Sequence, residues 1–209
     1  MDENPYAAPR VDLVEDVGPR QMNGWTPGHL RLMGWLSLAC AVGTLILTGV
    51  AVAAGATEDL LMTRLSDWIG AALTLLGCYL LIRLKLFAEA RFSAEGLAPP
   101  VWAVIFGSLA IEWLDVLMGD ASTEPGWPML FYFGAIAVLG ALTAWLGVRL
   151  LKVQNAYPAF RVMGWLDLVG GIMMATIVLM LLGLLPLIAG NLAMMLVFFR
   201  GARELESSS

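Results

Sequence analysis

Ser108, Glu112 and Asp115, followed by Gly119, recur at steps of four, three and four residues, which sets them on one face of a helix. The residues around them are apolar, so the two carboxylates fall inside a membrane-length segment. Glu112 would lie about 12 Å from the far edge of the hydrocarbon layer at 1.5 Å of rise per residue. Asn191 in the last apolar run, and Thr44 and Thr74 in the first two, fall at a similar level. No basic side chain is available there, and an acid so placed can relay protons or bind a cation. The competing expectation is structural: Asp115 lies in the headgroup zone and Glu112 is hydrogen-bonded to a neighbour.

A second set of charges sits toward the other membrane face. Asp167 lies about 9 Å inside that edge by helical rise. Arg83 and Arg149 lie at a comparable depth on helices running the opposite way. Charges in lipid are usually partnered, so the expectation is a structural ion pair between Asp167 and one of these arginines. Snorkelling of the arginines to the headgroups is the alternative.

Other chemistry is poorly supplied. The single histidine, His29, stands at a helix start, and Cys40 and Cys78 lie in separate apolar runs. They form no metal-ligand spacing, and no nucleophile has a base beside it. No metal and no cofactor are expected, and enzyme chemistry has little support: a Glu/Asp pair alone could host acid-base work, but nothing marks a substrate. Two cysteines in apolar runs behave as small hydrophobes. The twelve methionines and eight tryptophans scatter over helix faces and ends, as core filling and interfacial anchors do.

The elements that must position these residues are membrane helices. Of 209 residues 59% are hydrophobic and only 14% charged. A soluble domain, with roughly 25% charged residues, could not hide so much apolar surface. Crossing a core of about 30 Å takes about 20 apolar residues. Six such spans are expected, at 30–54, 67–90, 100–118, 128–151, 162–182 and 185–200, within a transmembrane domain of residues 29–203. The fold class is all-α, a polytopic bundle of three helical hairpins, with five helices as the alternative. The stretch 162–200 as one helix would be about 58 Å long, so Gly183-Leu-Leu-Pro186 is expected to break it. Residues 1–28 read as a proline-punctuated, mobile cytoplasmic leader. Residues 204–209 read as a tail or tag remnant.

Eleven of the twelve basic residues fall on one side when six spans are drawn, and Arg64 alone falls on the other. The positive-inside rule then sets both termini in the cytoplasm, in a bacterial inner membrane. The five acids of residues 1–28 leave no basic arm there for nucleic acid.

A repeat supports the hairpin reading. Arg31-Leu-Met-Gly-Trp-Leu-Ser-Leu38 opens the first span and Arg161-Val-Met-Gly-Trp-Leu-Asp-Leu168 the fifth, with six of eight positions identical. Tyr79-Leu-Leu-Ile-Arg83-Leu and Trp145-Leu-Gly-Val-Arg149-Leu match more loosely at the ends of the second and fourth. Small residues mark packing seams: Ala137, Gly140, Ala144 and Gly147 on the fourth span, Gly164, Gly171 and Ala175 on the fifth. At spacings of three and four they let two backbones approach closely in lipid.

The opening Gly34-Trp35-Leu36 and the string Lys152-Val153-Gln154-Asn155-Ala156-Tyr157 resemble a bacterial four-helix membrane family of unknown function. The resemblance covers residues 30–160, and departs from the family in Gln154 for a basic residue and Ala156 for a hydroxyl residue. It implies a membrane bundle and lends no activity.

Short loops, glycine seams and the lack of a complete site lead to the expectation of a small inner-membrane accessory or scaffold protein. Its partners would be the lipid bilayer and a second copy or another membrane protein. The alternative is a small proton- or cation-coupled transporter or channel built on Glu112 and Asp115.

Overall fold

Proline, which lacks an amide donor but fits the first helical turn, punctuates the chain. It stands in the opening turns of α1 (Pro27–Thr57), α3 (Ala98–Met118), α4 (Trp127–Leu151) and α5 (Pro158–Ala175). Two further helices, α2 (Leu60–Phe92) and α6 (Met180–Ser207), complete an all-α chain. The structure, a computed structural model, describes residues 24–57, 60–119 and 125–207. Residues 1–23 of the expected leader and residues 208–209 of the expected tail lie outside the described residues.

Helices α1, α2, α3, α4 and α6 are each long and apolar enough to cross a membrane. The chain is thus a multi-pass membrane protein. Helix α5 has 18 residues and carries Arg161 and Asp167. It spans about 27 Å by its rise. It pairs with α6 as a hairpin.

The helices form a ring in chain order: each packs on its sequence neighbours, and α6 closes the ring against α1. The α2–α3 contact is the least extensive. The start of α1, the ends of α2, α4 and α6, and the loops before α3 and α5 all meet at one end. Arg31 near the start of α1 bonds Glu206 at the end of α6 over 2.7 Å, so the two ends of the described chain lie together. This is called the basic end below.

The core is concentrated there. Phe87, Phe160 and Phe198 are 0% exposed, and Leu30, Met33, Leu97, Leu150 and Val197 are buried around them. Phe87 meets Trp25, Phe92 and Phe198 edge-on at ring separations of 5.8 to 6.0 Å. At the opposite end Trp68, Val116, Leu117, Trp127 and Leu181 are exposed, facing lipid or its headgroups.

The break between α5 and α6 falls earlier than expected. Thr176 leaves the helix with extended torsions (φ −96, ψ 114), its hydroxyl donates to the Met173 carbonyl at 2.8 Å, and a 3-10 turn follows over Ile177–Leu179. Pro186 lies inside α6. The reason is packing. A Cβ on Gly183 would sit 2.9 Å from the Met174 nitrogen and 3.0 Å from the Gly170 carbonyl oxygen. Gly183 is thus spent on helix contact and not on the turn. A proline early in α6 forfeits one backbone bond, which membrane helices tolerate. Helix α2 begins seven residues before the expected 67, and α6 runs on to Ser207, into the stretch expected to be a tail.

Candidate functional site

The polar face of α3 lies at the end opposite the basic one. The Thr74 hydroxyl of α2 donates to Glu112 Oε1 at 2.5 Å. One turn on, the Tyr132 hydroxyl of α4 lies close enough to Asp115 to interact with its carboxylate. Asp67 of α2 adds its charge near Asp115, and Cys78 lies close enough to feel Glu112. Glu112 and Thr74 are half-buried and Asp115 is exposed. Two polar links therefore tie α3 to both its neighbours, one of them across the thin α2–α3 seam, where interhelical hydrogen bonds can stand in for packing. Ser108 and Asn191, both half-buried, make no side-chain hydrogen bond among the described residues and do not join the cluster.

Asp167 does not pair with either arginine. Its Oδ1 lies against Gly190 of α6, 2.9 Å from where a Cβ would be. Arg83 turns instead to α1: its Nη2 lies 2.6 Å from His29 Nε2, and the guanidinium stacks 4.9 Å over Trp25. Arg149 lies against Gly96 in the α2–α3 loop, 3.3 Å from a Cβ built there. Among the described residues the ion pairs are Arg31–Glu206, Lys85–Glu89 and Arg91–Glu204. Helical rise sets depth alone, and depth is one coordinate. The acid faces α6, and the bases face the loops at their own hairpins' starts.

The small-residue stripes of α4 and α5 meet each other. A Cβ on Gly140 would lie 2.5 Å from the Ala175 nitrogen and 2.8 Å from the Gly171 oxygen. One on Gly147 would lie 2.5 Å from the Leu168 nitrogen and 2.7 Å from the Gly164 oxygen. Gly171 in turn lies against the backbone of Ala144 and 2.6 Å, by the same measure, from the Gly140 oxygen. These are backbone contacts, which no side chain could yield to. Ala137, half-buried, stands one turn before Gly140. The expected stability device of lipid-phase helix pairing is present in its tightest form here.

A constellation at the basic end was not anticipated. Buried Tyr157, in the α4–α5 loop, donates to Glu204 Oε2 at 2.6 Å, and Arg91 Nε donates to the same oxygen at 2.9 Å. Arg200 stacks 5.0 Å over the Tyr157 ring. Burial, then the hydrogen bond to Glu204, raises the Tyr157 hydroxyl above the ordinary tyrosine value. Three elements, α2, the α4–α5 loop and α6, are thereby locked together. Glu204 lies in α6, in the stretch the sequence presents as a tail. The available signal was that Arg200-Gly-Ala-Arg-Glu-Leu-Glu206 continues α6 without a proline, Gly201 being tolerated inside the helix.

Compared with known proteins, the chain matches no family model, no curated protein and no solved structure at a significant level.

Proposed function

We propose that this is a small accessory or scaffold protein of a bacterial inner membrane, acting through association with a second copy or another membrane protein, with both termini in the cytoplasm. The observation that carries the reading is the sealed basic end. Phe87, Phe160 and Phe198, wholly buried, close the ring from inside, and the Tyr157–Glu204–Arg91 lock covers them. Backbone-to-backbone packing of α4 on α5 gives the bundle rigidity. The acids of α3 are used in side-chain links to Thr74 and Tyr132, as structural polar groups in membranes are. The exposed basic residues of one end support the cytoplasmic assignment.

The test pairs two measurements on the full chain in nanodiscs and proteoliposomes. Native mass spectrometry should find a defined oligomer or a stoichiometric partner, and a pH-sensitive dye should find no flux above empty vesicles. A monomer that conducts protons or cations would replace the scaffold by the transporter reading. That second reading has one specific support: the Thr74–Glu112 link joins α2 and α3, the neighbouring helices that pack least extensively on each other.

A further inference from the structure

We propose that Arg83 and Arg149 form binding sites for the phosphate of an anionic phospholipid at the basic end of the bundle. The inference is independent of whether the protein is a scaffold or a transporter. It starts from the repeat. In Tyr79-Leu-Leu-Ile-Arg83-Leu84 and Trp145-Leu-Gly-Val-Arg149-Leu150 the aromatic residue is exposed, the next residue is buried and the leucine after the arginine is buried. The two arginines therefore occupy the same place on two outgoing helices. Each points to the beginning of its own hairpin, Arg83 to Trp25 before α1 and His29 in its first turn, Arg149 to Gly96 before α3.

Both guanidinium groups are short of partners. Among the described residues the only buried side-chain nitrogen or oxygen atoms lacking a hydrogen bond are Arg83 Nε and Arg149 Nε. The ion-paired cations of this end, Arg31, Lys85 and Arg91, each have a glutamate, and neither Arg83 nor Arg149 has one. Glu95, next to Gly96, is exposed and makes no ion pair with Arg149. Among the described residues Arg83 is held by the His29 imidazole and by the faces of Trp25 and Tyr79. A guanidinium offers five N–H donors, and the described residues give Arg83 the His29 imidazole alone as a hydrogen-bond partner.

An unpaired cation at membrane depth is costly, and the anion present at the level of helix ends is the lipid phosphate. The planar fork of arginine suits two phosphate oxygens. Trp25 and Tyr79 beside Arg83, and Trp145 one turn from Arg149, are side chains that favour the headgroup layer. Lys152, Arg161 and Arg203 lie exposed at the same end and add attraction for any anionic surface, without a fixed geometry.

Native mass spectrometry of the full chain, with phosphatidylglycerol, phosphatidylcholine or inorganic phosphate added at equal concentration, tests the sites. The wild type should retain phosphatidylglycerol about tenfold more tightly than phosphatidylcholine, a modest difference in binding free energy. It should also gain thermal stability from phosphatidylglycerol and none from inorganic phosphate. R83Q/R149Q should lose the preference, and K152Q/R203Q, which removes the same charge from exposed positions, should keep it. If the glutamine pair does not fold, R83K/R149K keeps both charges without the fork and should show a preference several-fold smaller. The proposal is overturned if the wild type shows no preference between the two lipids, or if the preference survives in R83Q/R149Q or is undiminished in R83K/R149K. Equal loss in K152Q/R203Q would show a diffuse field in place of sites. Stabilisation by inorganic phosphate matching that by phosphatidylglycerol would show a general anion site and not a lipid one.

Discussion

Tyr157 and Glu204, 47 positions apart in sequence, are joined by a 2.6 Å hydrogen bond that fixes the α4–α5 loop to the end of α6. Arg91 of α2 shares the same carboxylate oxygen. The closure of the basic end thus rests on one acid receiving two donors from two other elements.

Tyr157→Phe removes one donor and leaves the ring in place. A hydrogen bond to a charged group contributes about 1.5–3 kcal/mol, and the remaining Arg91 contact places the expected loss near the lower bound. The thermal midpoint in detergent should fall while the helical content stays. An unchanged midpoint would show that the lock is incidental to stability.

The same bond sets an alkaline limit. The folded state raises the Tyr157 pKa above its unfolded value of about 10, so it favours the protonated hydroxyl. That contribution to stability is complete below pH about 10 and is lost as pH rises through the folded value. The wild-type midpoint should therefore drop above pH about 10, and the Tyr157→Phe variant should lack this component of the drop. Parallel curves for the two proteins would remove the tyrosine from the account.

Substitution along the α4–α5 seam should be far more damaging than on the lipid face. At Gly140 even a Cβ would lie 2.5 Å from the Ala175 nitrogen, so Gly140→Ala must force two backbones apart. Overpacking costs about 1–3 kcal/mol where side chains can shift, and Gly140→Leu and Gly171→Leu should exceed that range. Val138, 60% exposed on the same helix, should accept leucine without loss. Thermal melting of the four variants decides it, and equal tolerance would show that the two helices do not meet at those glycines.

How far the sequence could be read follows from what each signal encodes. Small residues at steps of three and four specify both a helix and the face it packs with, so Gly140, Gly147, Gly164 and Gly171 could be placed in seams before their mutual contact was visible. Basic residues counted by loop specify parity, and the Arg31–Glu206 pair indeed brings both ends of the described chain to one side. Depth alone does not specify rotation about a helix axis, and the Asp167 pairing with Arg83 or Arg149 failed for that reason. Proline is a weak breaker in a membrane helix, so Pro186 stays inside α6 and the turn falls at Thr176. Thr74 stands at the level of Glu112 in the sequence and is the residue that bonds it, whereas Tyr132 carries no signal beyond being a polar group in an apolar run.

The absence of an ion pair changes what Asp167→Asn should do. With no base at contact distance, the exchange leaves no arginine newly unpaired, and the side chain keeps nearly the same volume against Gly190. Stability should change by less than about 1 kcal/mol. Asp167→Asn combined with Arg83→Gln or Arg149→Gln should give additive losses, as sites without shared partners do. A coupling above about 0.5 kcal/mol in either cycle would restore the pairing.

Glu112→Gln bears most directly on function. The amide oxygen of glutamine can still accept from the Thr74 hydroxyl, which now bonds Glu112 Oε1 at 2.5 Å, so the α2–α3 link survives the exchange. In a scaffold the variant should melt within a few tenths of a kcal/mol of the wild type and keep its oligomeric state. Thr74→Val is the informative companion, since it removes the donor and leaves the half-buried carboxyl without it. A loss of about 1–3 kcal/mol is expected there, the penalty of an unsatisfied polar group. Measured together with dye-reported flux in proteoliposomes, the two variants separate the readings. A scaffold gives no flux in any of the three proteins, with a stability loss in Thr74→Val alone. A carrier gives pH-dependent flux in the wild type that disappears in Glu112→Gln while the fold persists, and that outcome would move Glu112 from a structural acid to the working group of the protein.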